Sequence, residues 1–152
     1  GEKAAARTEE KPGTEFMVPD RDDRNEVGTG LERLKILTGS AAGAMRDESQ
    51  FYRLYSLHTV SHMLGLDVHD CAQARAQNYK DGKLEAGMVL TVEPGLYFQT
   101  DDLTVPTKYR GIGVRIEDDV LVTARSHRVL SSGLPRDPDE IEKWMKRIWK
   151  RR

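Results

Sequence analysis

Apolar positions fall into blocks along the chain, and each block has its own period. Met88–Glu93 (MVLTVE) is a continuous apolar run closed by Pro94-Gly95, the pattern of a largely buried strand. Gly111–Glu117 alternates Ile112, Val114 and Ile116 with small or polar residues. Asp118-Asp119 separates it from the apolar Val120–Thr123, which predicts a hairpin turned at the two aspartates. Ile141, Trp144, Met145 and Ile148 are spaced as one face of a helix over Pro138–Trp149, behind an acidic first turn. Leu31, Leu34, Ile36 and Leu37 predict a shorter helix stopped at Gly39. Ser40–Gln50 reads as a connection or short second helix, and Phe51–Leu57 as a strand leading into SLHTVSHMLGLDVHD. Before Leu31 the periodicity fails. Residues 1–16 read as a leader outside the fold, ahead of Met17, and residues 17–30 as a polar segment without fixed structure. The folded unit is then 31–152. Hairpin signals beside segregated helices predict an α+β class.

Composition narrows the function classes. The chain has 152 residues, 38% hydrophobic and 32% charged, so it has room for one core with solvated ends. Twenty-four Lys and Arg against 25 Asp and Glu give a net charge of −1, which argues against nucleic-acid binding through overall charge. The final stretch Lys143–Arg152 carries six basic residues, placed to complement a helix dipole. No window approaches the ~18 uninterrupted apolar residues of a membrane span. A single cysteine, Cys71, allows neither an internal disulfide framework nor a multi-cysteine zinc site, and a reducing cytoplasm is the expected compartment.

The residues able to do chemistry cluster. His58, His62 and His69 fall within twelve residues, and His58 and His62 share a face on either a helix or a strand. Such a pair is more often structural than ligating. Two acids strengthen the functional alternative: Glu93 ends the run MVLTVE and Glu117 ends GIGVRIE. A carboxylate at the end of an apolar strand has to be solvated, paired or metal-bound. Arg115, two residues before Glu117, offers a plain ion pair within the sheet as the competing reading. Asp20, Asp22 and Asp23 alternate with Arg21 and Arg24 without a glycine-turned loop, so they read as solvated rather than calcium-binding.

Taken in order and at their separations, HTVSHMLGLDVHD, GMVLTVEPGLYF and YRGIGVRIEDDVLVT resemble the C-terminal half of the aminopeptidase P family, Xaa-Pro aminopeptidases of the pita-bread metallopeptidases. Prolidase is the nearest competitor. The resemblance runs from about Leu31 to the last helix. It implies a curved antiparallel sheet with flanking helices, and hydrolysis that releases the residue before proline. It also implies metal ligation by His62, Glu93 and Glu117, with Glu93 doubling as general base. His58 and His69 would bind substrate and assist proton transfer, and Arg115 and Tyr97 would order the site by hydrogen bonding. The implied cofactor is manganese, two ions in the family.

The family's site has five protein ligands, and three match here; the other two are aspartates on upstream strands. The expectation is therefore at most one well-held ion, little or no activity from this chain alone, and either self-association or pairing with a complementing N-terminal half. Its expected ligands are peptides with proline second, with no nucleic acid and no membrane. The alternative is a non-catalytic peptide- or protein-binding module of the same fold. Thr59, where glycine is usual, and Ala124-Arg125-Ser126, in place of a glycine-containing turn, depart from the pattern.

Overall fold

The centre of the molecule is an antiparallel ribbon in one unbroken register. In the computed structural model, which describes residues 11–16, 18–37, 43, 51–70 and 81–150, strand β1 (Val89–Val92) continues past Pro94 into β2 (Gly95–Tyr97). Opposite them run β3 (Gly113–Arg115) and β4 (Asp118–Val122). Val92 faces Asp118 and Gly95 faces Arg115, with two residues between these pairs on each side, so no bulge shifts the frame. The Ile116 N–H donates to the Pro94 carbonyl at 3.2 Å across the interruption, where proline has no N–H to return. β5 (His127–Val129) extends the sheet beyond β4.

Because side chains alternate along a strand, this register divides the ribbon into two chemistries. Even-numbered positions carry Leu90, Val92, Leu96, Phe98, Val120 and Val122 toward the core, and Asp118 with them. Odd-numbered positions carry Thr91, Glu93, Tyr97, Arg115 and Glu117 to the other face. The predicted strand at Met88–Glu93 is present. The predicted hairpin is not: Gly111–Glu117 and Val120–Thr123 lie in one run along the ribbon, and Asp118-Asp119 belongs to β4. Asp118 is buried, not turned to solvent, because Ser131 Oγ donates to its Oδ1 at 2.6 Å and Arg136 pairs with its Oδ2.

Four further expectations are corrected toward the amino-terminal side. Val18–Arg33 forms helix α1 where a structureless polar segment was expected. Val27 and Leu31, one turn apart, pack on Tyr55, Phe98 and Val105. The helix stops at Lys35 (φ 57°), ahead of Gly39: the Ile36 N–H reaches the Leu31 carbonyl, the Lys35 N–H reaches that of Glu32, and buried Ile36 meets buried Leu31. Residues 11–16 are not a leader outside the fold. They run beside 82–84, with the Leu84 N–H bonded to the Thr14 carbonyl at 2.8 Å, and Phe16 is 2% exposed among Met63, Leu84, Leu90 and Val122. The folded unit therefore begins before residue 31. Phe51–Leu54 is a 3-10 turn where a strand was expected, because Tyr52 and Tyr55 are the buried pair and their spacing of three suits a turn. Most of Ser40–Gln50, and Cys71, lie outside the described residues.

The last helix, α2 (Pro138–Trp149), forms as predicted. The Asp137 side chain caps it by accepting from the Glu140 N–H at 3.0 Å, and Pro138 occupies its first turn. Among the described residues no helix is long and apolar enough to cross a membrane.

Candidate metal centre

The histidine segment reaches the site because residues 60–64 lie antiparallel along the free edge of β1. Main-chain bonds run from Leu64 N to Val89 O, from Thr91 N to His62 O and from Glu93 N to Val60 O, at 2.7 to 2.9 Å. His62 thus stands beside the odd-numbered face of the ribbon. Its Nδ1 lies 3.1 Å from the Met63 carbonyl, which only accepts, so Nδ1 carries the proton. Nε2 is then directed at Glu93 Oε1, 3.0 Å away.

Glu93 is 5% exposed and has every partner a buried carboxylate needs. The Thr91 hydroxyl donates to Oε1 at 3.1 Å, and Arg115 Nη1 approaches Oε2 at 3.3 Å. The register also sets Glu117 across from Glu93 where the ladder breaks at Pro94. Like charges facing each other across a strand pair repel. Partial burial first, then Glu93 and Asp119, raise the Glu117 carboxyl above its ordinary range, against the lowering pull of Arg115 and His62.

Next along this face is a hydrogen-bond chain of fixed direction. His58 Nδ1 bonds the Thr59 carbonyl at 2.8 Å, so a neutral His58 accepts at Nε2 from the Tyr97 hydroxyl, 2.8 Å away. That hydroxyl accepts in turn from Arg115 Nε at 2.8 Å. Tyr97 holds this charged donor further toward its protonated form, with Glu93 and Glu117 adding to the effect. The ring can lie over the ribbon only because glycines stand beneath it. A Cβ on Gly95 would sit 2.6 Å from the Tyr97 hydroxyl, and one on Gly113 would sit 3.0 Å from the ring.

All seven residues singled out in the sequence are thus placed. His62, Glu93 and Arg115 are in contact, and Tyr97 and His58 continue the network through Arg115. His69 is exposed with its ring centroid 4.3 Å from that of His62. Glu117 feels both Glu93 and His62, but among the described residues no three carboxylate, imidazole or thiolate groups close into a set able to hold a cation. The ion pair weighed between Arg115 and Glu117 forms with Glu93, because directly across from Arg115 is glycine. Thr91 was not singled out. Its hydroxyl in an otherwise apolar run, two residues before Glu93, was the available signal.

The chemistry of the donors fits a divalent ion in part. One imidazole and two carboxylates on neighbouring strands are ligand types a divalent ion takes. His62 Nε2 and Glu93 Oε1 lie 3.0 Å apart, and Glu117 would join them from the opposite strand.

Residues 26–124 match the profile of metallopeptidase family M24. Over 93 residues the chain is 71% identical to Xaa-Pro aminopeptidase 1 of Streptomyces coelicolor, a match covering 61% of this chain and 19% of that protein. Over 138 residues it is 50% identical to Xaa-Pro aminopeptidase 2 of the same organism, covering 91% and 29%. Aminopeptidase P from Escherichia coli, solved with the inhibitor Pro-Leu, superposes with a TM-score of 0.84 at 37% identity, covering 98% of this chain and 32% of that one. The chain thus spans between a fifth and a third of the length of these relatives, and it shares their α+β pita-bread fold.

Proposed function

The chain belongs to metallopeptidase family M24, and from that premise we propose that it forms the carboxyl-terminal part of the catalytic site of an Xaa-Pro aminopeptidase. The observation that carries the reading is the register that sets Glu93 and Glu117 across from each other at the ladder break, with His62 Nε2 3.0 Å from Glu93 Oε1. Two carboxylates and an imidazole supply oxygen-rich ligation, which suits Mn²⁺ better than Zn²⁺. His62 would ligate through Nε2, with its tautomer held by the Met63 carbonyl, and Glu93 and Glu117 would ligate through carboxylate oxygens. When bound, a divalent cation lowers the pKa of a ligated water and polarises the scissile carbonyl. Glu93 would serve as general base toward that water. Arg115, 3.3 Å from Oε2, holds that carboxylate in place. Arg115, Tyr97 and His58 form a hydrogen-bond chain along the same face, and His69, exposed beside His62, would bind the peptide.

The absence of a closed three-ligand set among the described residues fits a site completed from outside them. The family resemblance supplies two aspartates from upstream for that purpose. Exposed Phe51, Leu54, Leu57, Ile112 and Val114 offer apolar surface for such a segment or for a second copy of the chain. The same incomplete set is what a non-catalytic peptide-binding module of this fold would show. An assay of Xaa-Pro peptide hydrolysis with Mn²⁺ decides between them, run on the chain alone and on the chain joined to the upstream segment of a relative. We expect no turnover from the chain alone and turnover of about 1–1000 s⁻¹ from the joined protein. Peptide binding without turnover in the joined protein would favour the module instead.

A further inference from the structure

We infer that Thr91 is a positioning residue that couples the two proposed ligands His62 and Glu93 and makes the two oxygens of Glu93 inequivalent. This rests on the metal reading given above and adds a residue to it. Facing residues of a hydrogen-bonded antiparallel pair ordinarily exchange two main-chain bonds. Thr91 gives its N–H to the His62 carbonyl at 2.9 Å, but the return bond from the His62 N–H goes to Thr91 Oγ1 at 3.1 Å. The ladder is diverted from backbone to side chain at the residue whose imidazole serves the site.

The polarity of the hydroxyl follows. A hydroxyl has one proton, and Oγ1 already accepts from a main-chain donor. Its own proton goes to Glu93 Oε1, 3.1 Å away, on the same strand face two residues along. Thr91 is 1% exposed, so water cannot substitute for either bond. Oε1 is therefore committed to Thr91 and to the His62 side, and Oε2 is left facing Arg115. On the metal reading, Oε1 would be the oxygen turned to the ligand side with His62, and Oε2 the one held by Arg115. Groups that orient a metal ligand in this way are typically worth about 10–100-fold in metal affinity.

The test uses the full chain with Thr91→Val, which keeps the branched shape, and Thr91→Ser, which keeps the hydroxyl. Mn²⁺ affinity is read by calorimetry and exchange of the His62 amide proton by NMR. Valine is expected to weaken Mn²⁺ binding about 10–100-fold and to speed His62 amide exchange about tenfold or more by removing its acceptor. Serine is expected to stay within about threefold of the parent in both. Parent-like Mn²⁺ binding by the valine variant overturns the inference, as does serine binding no better than valine. If Thr91→Val fails to fold, Thr91→Ser against Thr91→Ala decides by the same criteria. If the parent chain itself binds no Mn²⁺, the metal reading fails separately. Thr91 is then judged by amide exchange alone, and an unchanged rate in the valine variant overturns it.

Discussion

Glu93 and Asp118 are two carboxylates on opposite faces of one ribbon, 5% and 1% exposed, yet they are held in different ways. Asp118 faces the core and is closed off by partners that do not titrate near neutrality, the Arg136 guanidinium and the Ser131 hydroxyl. Glu93 faces His62, Thr91 and Arg115, and a second carboxylate, Glu117, stands across the ladder from it. Burial is almost equal, so burial does not distinguish a structural acid from a functional one. The difference lies in the partners: Asp118 meets a guanidinium and a hydroxyl, whereas Glu93 also faces an imidazole and a second carboxylate, the donor set on which the metal reading rests.

The largest effect is expected where fixed partners are removed. Arg136→Ala leaves Asp118 buried with only Ser131 and should destabilise the fold by about 3 kcal/mol, the low end for a broken buried pair because Ser131 still donates. Urea denaturation measures it, and a loss below about 1 kcal/mol would mean Asp118 is not the closed structural acid described. Gly95→Ala comes next. Its Cβ would collide with the Tyr97 hydroxyl, so the Arg115–Tyr97–His58 chain breaks at a cost of about 1–3 kcal/mol. Loss of a low-field, exchange-protected Tyr97 hydroxyl proton by NMR is the check.

Glu93→Gln should move stability by no more than about 1 kcal/mol, since the amide can donate to His62 Nε2 where the carboxylate cannot. It should nevertheless weaken Mn²⁺ binding by more than the roughly tenfold expected of an outer-sphere change. If it destabilises as much as Arg136→Ala, the contrast between the two acids collapses. The smallest effect concerns pH. The Glu117 carboxyl is raised in the fold, so its contribution to stability is full below the ordinary carboxylate range and is lost as pH rises through the raised value. Without added metal, Glu117→Gln should therefore match the parent near pH 4 and exceed it modestly near pH 7 in urea midpoint. An advantage that instead appears on acidification would reverse the sign argued here.

Legibility in the sequence followed the reach of each interaction. The site residues were readable because they end or flank apolar runs that are themselves strands, and the alternation of Ile112, Val114 and Ile116 marked the ribbon correctly. Asp118-Asp119 was misread because two adjacent acids resemble a turn, and the partners that let Asp118 stay buried, Ser131 and Arg136, lie 13 and 18 residues downstream. Phe16 gave no local signal, since its neighbours Met63, Leu84, Leu90 and Val122 come from four distant segments. Phe16→Ala, expected to cost about 3–5 kcal/mol, checks that placement. Helix α1 hid because, among its described side chains, only a narrow line around Val27 and Leu31 is buried and its stop uses a left-handed lysine in place of glycine.

The uninterrupted register has a consequence for how faithfully the chain finds its fold. A slip of one residue between the two strands of the ribbon would turn the slipping strand over. Were it the first strand, Glu93 would be driven toward the core where Val60 and Val120 pack, and Leu90 and Val92 would be turned away from it. Hydrophobic loss and charge burial would then penalise the same error together. With polar chemistry gathered on one face and the core on the other, the site acts as a proofreading element for strand pairing.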